Sequence, residues 1–414
     1  MDSTPEGIQE LLTAALRGEG PAEARGASAL RVRCRLQPAA GPGAKVMPPT
    51  YAGRSGPEYV TEERMIEGEA VPCVSLDSVA SQANRIEDAL AEAVRSGEIA
   101  LPIIHVDQGD FGVHSALEFS HRCFDAWVED ALLEGQRFGD TDIWHEMAGT
   151  NRQSVTPLMN RFPTGILLGC WASRVRNPQG ATRLARALAS EVVAVGAVAG
   201  ERAAGKIDRH SVSNAIRLYE SAEGGRITLR EGRATREGDK PKLFGREGRR
   251  GDRGRPSEAG YGNVTPSFAE HGGVTMRYAL LLTTLSLPAL RECRFPERDR
   301  SQDPERDVAG RLMLAALGVR MLSLLIESGL DLRSGCLLVP EEEPQVELIG
   351  RLGRAVASWP LIDLPSQDLL DSAVRGGRDH GLEWDGEDLS LEASGDQLDL
   401  LRQSLNQVEA TEGE

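Results

Sequence analysis

The chain has 414 residues, of which 40% are hydrophobic and 27% charged, and its formal net charge is −16. This length suffices to bury a core without disulfides or metals, and the composition is that of a soluble globular protein. The six cysteines are scattered and form no CxxC pair, which argues against a disulfide framework or a zinc site and favours the reducing cytoplasm.

Hydrophobic periodicity predicts the elements of the first third of the chain. The predicted helices cover residues 2–18, 78–96 and about 115–133, the predicted strands cover 29–36, 71–76 and 103–106, and a Pro/Gly-rich loop covers 38–57. Strand 29–36 alternates apolar residues with Arg31, Arg33 and Arg35, so we expect one buried and one positive face. Asp77 or Ser78 caps the helix that follows. The start is acidic and helix-like, which predicts no signal peptide.

The rest of the chain mixes strands and helices irregularly. We predict strands over 163–171 and 274–284, a buried strand or short helix over 192–199, and helices over 182–188 and 286–294. We also predict an amphipathic helix over 308–328, an exposed basic loop over about 223–256, and a frayed acidic end. The apolar stretches around residues 166–168 and 279–287 are too short for a membrane span. The pattern predicts an α+β fold. Its predicted segments are an N-terminal helix and linker (1–28), a core with insertions (29–300) and an acidic, partly helical C-terminal region (301–414).

Charge is distributed unevenly along the chain. Residues 1–160 carry a net −12, residues 161–300 carry +10, and residues 301–414 carry −14. Because phosphate binding requires a local basic surface rather than a basic protein, the middle third is a candidate nucleic-acid surface. A solvated basic loop on an acidic protein explains the same composition.

The usual catalytic motifs are missing from the sequence. There is no Walker phosphate loop, no GxGxxG after a strand, no HExxH and no GxSxG. The densest group of polar candidates is His105, Asp107, Asp110, His114 and His121. We interpret it as a turn with surface histidines, because Asp and Gly favour tight bends. We therefore expect no catalytic centre, no metal and no cofactor.

Five segments carry a resemblance to one known family. They are residues 76–87 (LDSVASQANRIE), 121–126 (HRCFDA), 164–173 with 183–193 (TGILLGCWAS and RLARALASEVV), 271–275 with 284–296, and more weakly 48–51 (PPTY). Together they resemble the type I-G (formerly I-U) CRISPR backbone subunit of the RAMP superfamily, the seventh Cas family, GSU-type Csb subgroup. After Trp171 the family usually has an acidic residue and a Gly/Lys-rich turn, whereas this chain has Ala172 and RVRNPQG.

The resemblance implies an RRM-like (ferredoxin-like) palm with inserted finger and thumb elements and a helical C-terminal region. It implies a cytoplasmic, non-catalytic protein that polymerises head to tail along CRISPR RNA in a Cascade-like complex for antiviral defence. The implied partners are the guide RNA, the target DNA strand paired to it, further copies of this chain, a Cas five/six-like fusion and a large subunit, but no membrane.

A scaffold that accepts any guide sequence contacts phosphate and ribose rather than base edges, and arginine suits this role. The RNA-binding candidates are Lys45, Gln82, Asn84, Arg85, Arg122, Arg174, Arg176, Arg183, Arg186, His271, Thr275 and Arg277. Gln82, Asn84 and Arg85 lie within one turn of the predicted helix, and we expect them to face the RNA backbone together. Likewise, we expect Arg183 and Arg186 to share a helix face, and Thr275 and Arg277 to share a strand face.

Three alternatives remain at this stage. The first is a RAMP-family endoribonuclease that processes CRISPR precursor RNA, for which residues 376–381 (GGRDHG) are the nearest approach to a glycine-rich loop. The second is a generic RNA-binding module, for which the sequence has no positive motif. The third is a metal-dependent hydrolase built on His105 to His121.

Overall fold

The structure is a computed structural model that describes residues 4–19, 25–53, 57–173, 182–206, 209–213, 215–245, 253–261, 264–269, 272–297, 299, 301–384 and 388–413. Its helices are α1 Pro5–Arg17, α2 Val79–Arg95, α3 Ala126–Glu129, α4 Asp142–Ala148, α5 Thr156–Met159, α6 Thr164–Leu168, α7 Leu287–Arg291, α8 Pro304–Glu327, α9 Ser366–Asp379 and α10 Gly395–Gly413. Single 3-10 turns cover Gly109–Phe111, Arg122–Phe124, Phe138–Asp140, Glu231–Arg233 and Pro256–Ala259.

The strands of the first half are β1 Ala29–Pro38, β2 Thr50–Ala52, β3 Pro57–Tyr59, β4 Thr61–Ile66, β5 Glu69–Asp77, β6 Ile104–Asp107, β7 Val113–Ser115, β8 Leu132–Leu133, β9 Gln136–Arg137, β10 Cys170–Trp171, β11 Arg183–Leu184, β12 Leu188–Val195, β13 Val198–Ala199 and β14 Arg202–Lys206. Those of the second half are β15 Tyr219–Glu220, β16 Ile227–Thr228, β17 Arg236–Glu237, β18 Lys240–Pro241, β19 Val264–Ala269, β20 Val274–Thr275, β21 Tyr278–Ser286, β22 Leu330–Arg333, β23 Cys336–Pro340, β24 Gln345–Ile349, β25 Ala355–Pro360 and β26 Leu389–Glu392.

A large antiparallel sheet forms the centre of the fold and curls into a half-barrel. Its order is β22-β23-β1-β21-β12-β5-β4, and β24 joins it by pairing with β1 on one side and β25 on the other. Strand β1 has the predicted alternation, since Leu30 and Val32 are buried while Arg33 and Arg35 are exposed. The predicted α+β class is therefore confirmed. The strand order does not confirm the RRM-like palm.

Helix α8 is the core helix, lying against α1, α2, α7 and α9. We predicted an amphipathic helix here, but α8 is buried on all sides from Arg306 to Leu325 apart from a single half-buried position. It is also long and apolar enough to cross a membrane, a stretch that the sequence reasoning overlooked. Because 89% of its apolar window is buried inside the fold, it is a core helix. Its charges are paired, as where Asp307 accepts from Arg294 at 2.9 Å.

Several predicted elements are wrong. Residues 115–133 form no continuous helix, because Asp125 caps a new turn by accepting the Trp127 N–H at 3.1 Å. Residues 163–171 contain the buried helix α6 rather than a strand, a distinction that periodicity does not make for a short apolar run. Residues 182–188 are extended, not helical. The predicted loop over 38–57 contains β2, which pairs with β3.

The chain divides into two compact units, residues 1–198 with 275–404 and residues 199–274 with 405–414. The first unit contains parts of all three predicted segments (1–28, 29–300 and 301–414). The C-terminal segment does not stand apart, because its strands β22 to β25 pair within the large sheet. It also holds a second sheet, β7-β6-β26-β8-β9.

The second unit consists of short hairpins. Strand β15 pairs with β16, β17 with β18 and β14 with β19, all antiparallel. The Arg226 guanidinium lies 5.4 Å from the ring centroid of Phe244, and Lys242 pairs with Glu220 at 2.8 Å. The prediction of one long loop over 223–256 is therefore wrong for the described part of that segment.

Candidate nucleic-acid interface

The structure brings Trp171, Arg183 and Arg186 together on one short ribbon. Strands β10 and β11 pair antiparallel with Trp171 opposite Arg183, and we call β10, β11 and the residues up to Arg186 the arginine ribbon. The Trp171 side chain is 57% exposed, and the Arg183 guanidinium lies 5.4 Å from its ring centroid. Arg186 is exposed and its Nε donates to the Leu168 carbonyl at 3.2 Å. The ribbon therefore presents two arginines and one aromatic ring to solvent.

The local sequence explains this exposure. Along β10 and β11, Cys170 and Leu184 are buried while Trp171 and Arg183 are exposed, the alternation of a ribbon with one face on the core. Thr182 anchors the second strand, because its hydroxyl donates to the Ala148 carbonyl at 2.6 Å. The residues that join the two strands contain the predicted candidates Arg174 and Arg176, which lie outside the described residues.

Gly169 is the close-approach residue at the base of the arginine ribbon. Its φ is +81°, in the left-handed region that favours glycine. A Cβ at this position would lie 2.9 Å from the Leu184 carbonyl oxygen and 3.1 Å from the Arg186 nitrogen. Only glycine therefore lets the chain turn from α6 into β10 while β11 packs against it.

Arg122, predicted to contact RNA, binds a buried carboxylate instead. Its Nε and Nη2 donate to the two oxygens of Glu87 at 2.6 and 2.8 Å, and its Nη1 donates to the Gly169 carbonyl at 3.4 Å. The Arg122 side chain is 12% exposed and Glu87 only 2%. Burial raises the pKa of the Glu87 carboxyl, while the Arg122 charge opposes that shift.

Gln82 and Arg85 form an internal network around Asp77, which is fully buried. Gln82 Nε2 and Arg85 Nε donate to Asp77 Oδ2 at 2.7 and 2.9 Å, and Arg333 Nη2 donates to Oδ1 at 3.2 Å. Gln82 Oε1 in turn accepts from the Ser190 hydroxyl at 2.9 Å. Ser78 supplies the cap of α2 by accepting the Ser81 N–H, which confirms one of the two predicted capping residues, while the other, Asp77, forms a buried ion pair with Arg85.

The remaining candidates lie apart from one another. Asn84 is exposed on α2, so the expected common face with the buried Gln82 does not form. Lys45 is exposed in the segment after β1. Thr275 ends β20, while Arg277 lies between β20 and β21 over Gly196, so the predicted shared strand face is wrong. His271 lies outside the described residues.

The histidine-rich segment has the geometry of turns. Asp107 Oδ1 accepts the Gly109 N–H at 2.8 Å, and His114 Nε2 lies 3.1 Å from the Phe111 carbonyl oxygen. His105 Nε2 lies 3.5 Å from an Asp388 carboxylate oxygen. Among the residues that the structure describes, no group of three or more His, Cys, Asp or Glu side chains is arranged to hold a metal ion.

Sequence reasoning missed Trp171 and Glu87. The low aromatic content of 4% directed attention away from stacked rings, although Trp171 stands just before the arginine-containing segment 174–180. Glu87 is the last residue of the segment 76–87, but only the fold shows that the Arg122 side chain, 35 residues later, contacts it. An arginine fork binds a phosphate through two hydrogen bonds, and an exposed indole stacks on any base. The arginine ribbon is therefore chemically suited to a single-stranded polyanion.

Comparison with known families gives a match to part of the chain. Residues 30–199 match the family model described as CRISPR-associated protein GSU0053. The matched range contains α2, Arg122 and the whole arginine ribbon, but not the fourth motif at 271–296. No curated protein matches the chain. The family match supports a CRISPR-associated role.

Proposed function

We propose that this chain is the non-catalytic, guide-RNA-binding backbone subunit of a type I-G Cascade-like complex. The family match over residues 30–199 carries the proposal, because it covers four of the five segments that resemble this backbone subunit. In this proposal copies of the chain assemble head to tail on CRISPR RNA in the cytoplasm. They leave the guide free to pair with target DNA and contact a Cas five/six-like fusion and a large subunit. The RRM-like palm remains part of the prediction.

The arginine ribbon supplies the chemistry that such a scaffold requires. Arg183 and Arg186 offer guanidinium groups to phosphates, and Trp171 offers a ring face that accepts any base. Neither contact reads a base edge, so the interface tolerates every guide sequence. The side chains Gln82, Arg85 and Arg122 serve internal contacts and leave the proposed RNA-contact set.

The endoribonuclease alternative loses its one sequence feature. Gly376 and Gly377, taken as the start of a glycine-rich loop, lie inside α9. Gly377 packs against Met313 of α8, so it serves helix packing. We therefore keep the non-catalytic role as the proposal.

The double variant Arg183→Ala with Arg186→Ala tests the proposal. We expect binding of a guide-length single-stranded RNA to weaken by about 2–4 kcal/mol, because two charge-assisted contacts are lost. Fluorescence anisotropy at fixed salt measures this. The control carries Arg95→Ala with Arg402→Ala, two exposed arginines that pair locally within their own helices. Equal affinity of both double variants would contradict the proposed interface.

A further inference from the structure

We infer that Glu87 and Arg122 are positioning residues that hold the arginine ribbon in its RNA-binding orientation. The inference rests on the proposed function and adds to it a pair that never contacts RNA. It arises from one juxtaposition: the buried Glu87 on α2 holds the Arg122 fork, whose remaining nitrogen reaches the Gly169 carbonyl at the base of the ribbon.

The Glu87–Arg122 pair is rigid for physical reasons. Two parallel hydrogen bonds at 2.6 and 2.8 Å fix the guanidinium plane, and both side chains are almost fully buried. Arg122 also has φ +55°, a left-handed conformation that is unfavourable for a residue with a Cβ. Such a backbone persists only where its surroundings stabilise it. Here the backbone is held by hydrogen bonds from the Arg122 N–H to the Phe119 carbonyl at 2.9 Å and from the Asp125 N–H to the Arg122 carbonyl at 3.1 Å, and the bidentate contact with Glu87 fixes the side chain.

The pair acts on the ribbon through the turn at Gly169. Arg122 Nη1 donates to the Gly169 carbonyl, and the adjacent Leu168 carbonyl accepts from Arg186 Nε. Gly169 has no room for a side chain against Leu184 and Arg186, so the turn and β11 pack as one unit. A displacement of the Arg122 fork therefore displaces the carbonyls that orient Arg186.

Electrostatics connects the same groups. After the larger effect of Arg122, the Arg186 charge also favours the ionised form of the Glu87 carboxyl and so lowers its pKa. Glu87 thus faces two arginines, one buried and one exposed. Asp88, its neighbour on α2, is the opposing negative charge. The buried carboxylate holds Arg122 by hydrogen bonds and attracts the Arg186 charge, while the Leu168 carbonyl accepts the Arg186 Nε hydrogen bond.

Two variants separate positioning from stability. Glu87→Gln leaves the buried Arg122 charge without its carboxylate, and we expect the protein to lose both stability and RNA affinity. Glu87→Gln with Arg122→Met removes both charges and keeps similar volumes, a change that is often neutral for stability. The double variant still lacks the donor to Gly169, so we expect RNA binding to remain about tenfold weaker than in the unaltered chain.

The experiment measures thermal unfolding, local hydrogen exchange and RNA binding at several salt concentrations for both variants and for Glu92→Gln. Glu92 is the control, an exposed residue on α2 paired with Arg95. In the double variant we expect a near-normal unfolding temperature, with faster amide hydrogen exchange confined to residues 168–172 and 182–186. We also expect a salt slope reduced by about 0.7, the value for one lost phosphate contact on a single strand.

Three outcomes are distinguishable. Normal affinity and slope in the folded double variant would overturn the inference and leave the proposed function standing. The second outcome is faster amide hydrogen exchange throughout the double variant, with normal RNA affinity in its folded fraction. It would assign the pair to stability alone and overturn the inference. Absence of RNA binding by the unaltered chain would overturn both the inference and the proposed function.

Discussion

At the scale of single residues, Gly169 is a position with very little tolerance for a side chain. It combines a left-handed φ of +81° with close approach to the Leu184 carbonyl. Gly68 has a similar φ of +88° in the turn between β4 and β5, but a Cβ added there would meet no heavy atom within 4 Å. A substitution at Gly68 therefore reports backbone strain alone, whereas the same substitution at Gly169 reports backbone strain together with steric conflict.

We predict that Gly169→Ala lowers both stability and RNA affinity, whereas Gly68→Ala lowers stability alone. The φ penalty for a residue with a Cβ is about 1–3 kcal/mol, and the steric conflict at Gly169 adds to it. Urea unfolding and RNA anisotropy measure the two effects. Unchanged RNA affinity in folded Gly169→Ala would show that this turn does not position the arginine ribbon.

Glu87 gives a prediction about pH. Burial raises the pKa of its carboxyl above the ordinary 4.5, so the folded chain binds this proton more tightly than the unfolded chain. The proton-linked part of the Glu87 contribution to the free energy of unfolding is therefore complete below pH about 4.5 and is lost as the pH rises through the raised pKa, whereas the two hydrogen bonds from Arg122 remain.

The variant Glu87→Gln lacks this titration. We predict that, above pH about 4.5, the unaltered chain loses free energy of unfolding relative to the variant as the pH rises. Urea unfolding between about pH 4 and 7 measures the difference, and Glu92→Gln is the matched control. Parallel pH profiles would mean that burial does not govern the Glu87 carboxyl.

Residue chemistry was only partly predictable from sequence. The alternating face of β1 and the Ser78 cap follow from local pattern, and the structure confirms both. The partner of Arg122 does not, because a buried carboxylate and an arginine 35 residues apart have no local signature. The same holds for Arg333, which reaches Asp77 from β22.

At the scale of elements, α9 shows how neighbouring positions differ. Gly377 faces Met313 of α8 so closely that an added Cβ would overlap its sulfur, while nothing lies within 4 Å of a Cβ at Gly376. Helix α9 therefore needs glycine at one position and merely tolerates it at the other.

We predict opposite effects of alanine at these two positions. Gly377→Ala overpacks the contact between α8 and α9 and costs about 1–3 kcal/mol. Gly376→Ala adds helix propensity at an open position and stabilises by about 0.5–1 kcal/mol. Thermal unfolding of the two single variants tests this pair, and destabilisation of similar size in both would contradict the packing of α9 on α8.

Elements with strong periodicity were predicted well. Helices α1 and α2 and strands β1, β5 and β6 lie where their patterns place them. The segment 182–188 was misassigned because its arginine spacing suits a helix face, whereas pairing of Arg183 with Trp171 makes it extended. Strands β22 to β25 were missed, since their place in the sheet depends on the free edge of β1.

At the scale of the whole molecule, an acidic chain with a net charge of −16 is proposed to hold RNA. The proposal requires that attraction be local to the arginine ribbon, because distant surface charges are screened within about 10 Å at moderate salt. The uneven charge distribution was visible in the sequence. The sequence did not show which arginines remain exposed, because several of them, such as Arg85 and Arg311, make contacts inside the fold.

The most direct test of the central claim is the RNA that purifies with this chain when it is expressed alongside a CRISPR array. We predict large particles that contain guide-length RNA of array sequence, and loss of that RNA in the variant Arg183→Ala with Arg186→Ala. Sizing and sequencing of the bound RNA measure both. A compact particle without RNA, or one whose RNA content is unaffected by the array, would contradict the account.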